Sequence, residues 1–102
     1  MKIFHLVADP GHSWLKVPMK ELDRLGIADD ISAYSFQKGD MAYLEEDCDA
    51  GVFIQARVAR AEAIQIKEFN RQRQSKIRKY DAYTRIPVAA PVAAPVEEVS
   101  EA

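Results

Sequence analysis

Asp9, His12 and Ser13 fall within one short stretch, DPGHSWLKVP, that also holds the chain's single tryptophan, Trp14. An acid, a histidine and a serine are the residue types of a hydrolytic triad, in which the imidazole takes the serine proton and the acid orients the imidazole. Closeness in sequence does not supply that geometry. A serine nucleophile also needs an oxyanion hole, commonly built at a strained G-x-S-x-G elbow, and that motif is absent. Asp-Pro-Gly is turn chemistry, so the stretch reads first as a turn, with His12 as a turn residue and Trp14 as a packing anchor. The enzymatic alternative, a small hydrolase or nucleotide-processing enzyme, would centre on His12 with Asp9 or Glu46.

A second cluster, YLEEDCDAG, presents Glu45, Glu46, Asp47 and Asp49, hard oxygen ligands of the kind that bind divalent cations. Their spacing does not match an EF-hand loop. They fall where a strand passes into a helix, and there carboxylates cap orphan N–H groups and complement the positive helix end without any metal. Cys48 lies among them. Negative neighbours raise a thiol pKa and a helix N-terminus lowers it, so its reactivity is left open.

The third group is basic. From Lys67 to Arg85 seven cations face two acids, Glu68 and Asp81, a local excess of +5, whereas Asp29 to Asp49 holds seven acids against Lys38 alone. Arg71, Arg73, Lys76, Arg78 and Lys79 are interleaved with Tyr80 and Tyr83, a mixture that suits phosphate contacts and base stacking. Its bland counterpart is a solvated face, or an arm that pairs with the acidic segment. Walker loops, G-x-G-x-x-G, H-E-x-x-H and paired zinc ligands are all missing, so neither a metal nor a cofactor is expected.

The elements that must position these groups follow from periodicity and punctuation. Ile3, Phe4, Leu6 and Val7 form a short apolar run, read as a strand buried on both faces and stopped by Asp-Pro-Gly. SWLKVP is a second strand ending at Pro18, which suits the first position of a helix. Met19, Leu22 and Leu25 then recur at helical spacing, and Gly26-Ile27 supplies a left-handed cap. A hairpin turns at Lys38-Gly39-Asp40. Asp47 or Asp49 caps a helix over residues 48–61, and Ile64 and Ile66 alternate as a strand. Beyond Phe69 the chain is a short helix or an arm lying on the domain. The order is ββαββαβ.

The blocks WLKVP, LGIAD, YLEEDCD and SKIRKY, spread over most of Asp9 to Tyr83, resemble a group of small uncharacterised proteins encoded by bacteriophages and other bacterial mobile elements. The resemblance implies a bacterial-host cytoplasm and brings no established activity with it. The lone cysteine fits that reducing compartment, and neither a signal h-region nor a membrane-spanning run is visible.

With 102 residues and a net charge of −2, the expectation is one α+β domain over residues 1–85, its sheet covered by two helices. Residues 86–102, IPVAAPVAAPVEEVSEA, read as a disordered Pro/Ala/Val-rich acidic tail. The expected function is a non-enzymatic accessory module that binds a host protein or nucleic acid through the basic arm.

Overall fold

A computed structural model describes residues 2–73 and 75–85; the tail expected at 86–102 lies outside the described residues. The chain is α+β. Strands β1 (Ile3–Ala8), β2 (Ser13–Pro18), β3 (Phe36–Lys38), β4 (Met41–Glu45), β5 (Gln65–Asn70) and β6 (Asp81–Ala82) join in one mixed sheet, ordered β5-β1-β2-β4-β3-β6. Helices α1 (Met19–Arg24) and α2 (Asp49–Ala59) connect the two halves. The expected order is recovered, with β6 added at one edge. No helix among the described residues is long and apolar enough to cross a membrane.

Both helices pack on one face. Phe4, Leu15, Val17, Ala42 and Leu44 point to that side and meet Leu22 and Phe53 in the main core. Gly26 ends α1 at φ 72°, a left-handed turn that costs a glycine no Cβ clash, and Ile27 N–H returns to the Leu22 carbonyl at 2.9 Å. Pro18 closes β2 and flanks α1 from outside, one residue earlier than expected.

Two sequence expectations are corrected here. The first strand is not buried on both faces: Ile3 is 52% exposed and His5 is exposed too, because no helix covers that side of the sheet. Neither Asp47 nor Asp49 caps α2. Cys48 holds the cap position without a side-chain hydrogen bond. The buried Asp49 carboxylate turns instead toward the preceding loop, accepting from Ser32 N–H, Ser32 Oγ and Ser35 Oγ. Engaged by these three donors, the carboxylate serves the loop and not the helix end.

On the far face a smaller core joins Trp14, Tyr43 and Ile77 with Val7, Phe36, Met41 and Tyr80. Ile77 comes from a 3-10 turn, Lys76–Lys79, laid across β2 and β4. The arm expected beyond Phe69 is therefore both a short helical turn and a lid over half of the sheet.

Candidate functional site

The lid is fixed by the turn that opened the sequence reading. Asp9 N–H donates to the His12 carbonyl at 2.8 Å, and Asp9 Oδ1 accepts from Gly11 and His12 N–H at 3.0 Å each. Asp-Pro-Gly-His is thus a turn closed by its own aspartate. The same carboxylate reaches across the molecule. Arg78 Nε donates to Oδ2 at 2.7 Å, Arg78 Nη2 to Oδ1 at 2.9 Å, and Ser75 N–H to Oδ2 at 2.8 Å. Arg78 above all, with the three backbone N–H groups, holds Asp9 well below the usual carboxylate range against the opposing effect of burial.

A carboxylate so engaged is a fastening and a very weak base. His12 Nδ1 lies 3.6 Å from Glu45 Oε2, not beside Asp9, and Glu46 is exposed. Ser13 is paired into β2 opposite Ala8. The three residues of the enzymatic alternative, Asp9, His12 and Glu46, are not assembled around one reacting point. Burial, and then the neighbouring Asp49 charge, push the Cys48 thiol up, which disfavours the nucleophilic thiolate. No group of three or more metal-binding side chains occurs among the described residues.

The basic arm divides into two sets. Arg78 is spent on Asp9, and its guanidinium lies 5.6 Å from the Trp14 ring. Tyr83 is buried, and its hydroxyl donates to the Ala28 carbonyl at 2.8 Å. These two hold the arm to the domain. Arg85 Nη1 meets Asp29 at 2.9 Å, an ion pair between the basic and acidic segments, which also touch where β6 pairs with β3. Arg71, Arg73, Lys76 and Tyr80, by contrast, line one groove of about 910 Å³ on the far face of the sheet. Lys79 is exposed and outside its lining.

The floor of that groove is what sequence reading missed. Strand register sets Lys67, His5, Lys16 and Tyr43 side by side across β5, β1, β2 and β4. Phe69, one step along β5, meets the His5 ring edge-on at 4.9 Å, with Lys67 Nζ 5.4 Å from its centre. Tyr80 packs on Tyr43 at 5.0 Å and receives Lys38 Nζ at the same distance. Cations and rings are thus set together on this face, with Tyr43 buried beneath Tyr80, and Arg71 and Arg73 enter from a connection pinned at both ends, by Arg71 N–H on the Ala8 carbonyl and Ser75 N–H on Asp9. Glu68 alternates to the helix side and leaves the groove without an acid from β5. The signal was present in sequence as period-two alternation: His5 between apolar neighbours, Lys16 between Leu15 and Val17, Lys67 and Phe69 around Glu68.

Compared with protein-family models, with curated proteins and with solved structures, the chain matches none.

Proposed function

We propose that this protein is a non-enzymatic module that binds single-stranded nucleic acid in the groove on the sheet face opposite its helices. The observation that carries the reading is the combination of Lys16, Arg71, Arg73 and Lys76 with the rings of His5, Phe69 and Tyr80 around one open groove. Cations that track a backbone, beside rings on which bases stack, are what sequence-tolerant single-strand binding requires. The net charge of −2 does not oppose this, because residues 67–85 carry a local excess of +5 and Debye screening limits the reach of more distant charges to about 8–10 Å. In the setting implied by the resemblance to phage and mobile-element proteins, the strand would be a replication, transcription or transfer intermediate in a bacterial cytoplasm.

The test is fluorescence anisotropy of a labelled single-stranded oligonucleotide across a salt series. Each neutralised phosphate contributes a slope of about −0.7 in log K against log salt for single strands. Replacing Lys16, Arg71, Arg73 and Lys76 together by Ala is expected to weaken binding and to make the slope shallower by up to about 3, the sum of four such contacts. Binding that ignores salt would overturn the reading. So would the absence of any nucleic-acid binding, which would turn attention to a protein partner on the same face.

A further inference from the structure

The two edges of the sheet are built differently. At one, β6 holds only Asp81 and Ala82, too short a template for another chain. At the other, β5 runs from Gln65 to Asn70 in unbroken parallel register with β1, without a proline or a bulge. Apart from the half-buried Phe69 the whole strand is exposed, so no helix or loop among the described residues covers that edge. Of the devices that keep sheet edges apart, only the charges of Lys67 and Glu68 are present at β5.

The phase of the strand is fixed by Arg71 N–H, which donates to the Ala8 carbonyl at 2.8 Å. In a parallel ladder one residue turns both its backbone groups to the neighbouring strand, and the next turns both away. Lys67 and Phe69 therefore bond to β1, while Ile66 and Glu68 direct N–H and C=O outward along the open edge. The Ile66 side chain, on the helix side with Phe4, remains 40% exposed.

We infer that β5 pairs with β5 of a second copy of this chain, antiparallel about a two-fold axis at Ile66. Identical strands joined by a two-fold perpendicular to the sheet place one residue opposite itself. Centred on Lys67 or Glu68, the pairing sets like charges directly opposite, which destabilises a sheet; centred on Phe69, it sets Lys67 opposite the partner's Arg71. Centred on Ile66, it joins two isoleucines, lays Lys67 on the partner's Gln65 and lays Glu68 on the partner's Ile64. The outward N–H and C=O of Ile66 then meet their own copies as a bonded pair. The two charges that forbid the other central registers leave this one open. With the axis perpendicular to the sheet, the partner's groove opens on the same face, and the two grooves join across the seam.

The pairing does not rest on the single-strand reading, and its test contains no nucleic acid. Sedimentation velocity would be run from about 5 µM to about 500 µM, because small interfaces associate weakly. The wild-type mass is expected to rise with concentration from 11.5 kDa toward twice that value. Ile66→Lys and Ile66→Glu, each placing like charges on the axis at an exposed position, should stay at the monomer mass. Mixed in equal amounts they should recover the dimer, because lysine then faces glutamate across the axis. Glu68→Pro removes an outward N–H that the monomer does not use, as edge strands tolerate, and should also be monomeric. Unchanged emission of the buried Trp14 confirms that each variant is folded. A wild type that stays at 11.5 kDa throughout overturns the inference. So does a dimer that survives in both Ile66 variants, or a mixture of the two that fails to associate. Oligonucleotide binding that persists in any of those cases leaves the groove standing without the seam.

Discussion

Asp9 shows how one side chain can look catalytic and act mechanically. With its lone pairs shared among Arg78, Ser75, Gly11 and His12, it ties the first turn to the arm seventy residues later. Its folded-state pKa lies below the ordinary 3.8, so the folded protein stays ionised where the unfolded chain takes up a proton. The stabilisation is complete above that ordinary value and is lost as pH falls through it toward the folded value. Asp9→Asn is expected to lower the melting temperature at neutral pH and to flatten the decline of stability between about pH 4 and pH 2, which melts across a pH series would measure. Gly11 belongs to the same device. A Cβ there would stand 2.8 Å from Arg78 Nη2. Gly11→Ala should therefore push the guanidinium aside and weaken oligonucleotide binding by loosening the arm, less severely than Asp9→Asn.

At the scale of elements, α2 is held by its loop and not by its cap. Asp49 gathers Ser32 and Ser35, and Ser35 Oγ in turn accepts from Glu45 N–H at 2.9 Å, so the loop before β3, the end of β4 and the start of α2 are locked together. Asp49→Ala leaves the buried Ser35 hydroxyl and the half-buried Ser32 donors unmet and is expected to cost about 1–3 kcal/mol in denaturant unfolding. Strands β1 to β5, the helices and the hairpin at Gly39 were legible in sequence because punctuation and period are local, whereas β6 was not. The partners of Asp49 were not, since its bonds span 14 and 17 residues and no local pattern encodes them.

For the molecule as a whole, the second core is decisive. Trp14, Tyr43 and Ile77 bury the far face of β2 and β4 and leave β1 and β5 open beside them. Trp14→Ala is expected to cost about 3–5 kcal/mol, since it empties a fully buried aromatic site. Wild-type emission should be blue-shifted to match the 2% exposure of that ring. The fourfold replacement of Lys16, Arg71, Arg73 and Lys76, by contrast, touches mostly exposed charges. It should shift stability by no more than about 0.5 kcal/mol per site while changing binding, and a calorimetric melt run beside the anisotropy series separates the two effects.

By itself the sequence determined the α+β class, the order of elements, the Asp-Pro-Gly turn, the burial of Trp14 and the polarity between an acidic middle and a basic arm, because each depends on residues near one another in the chain. It named Arg71, Arg73, Lys76, Arg78, Lys79, Tyr80 and Tyr83 as one basic, aromatic group, and of these Arg71, Arg73, Lys76 and Tyr80 share a groove. Only the tertiary structure decided that Arg78 and Tyr83 are fastenings, that one face of β1 is open, and that His5, Lys16 and Phe69 complete the groove floor. The reason is register. Which residues stand abreast across β5, β1, β2 and β4 is fixed by pairing between segments up to 62 residues apart, and an alternating strand looks the same in sequence whichever neighbour it takes.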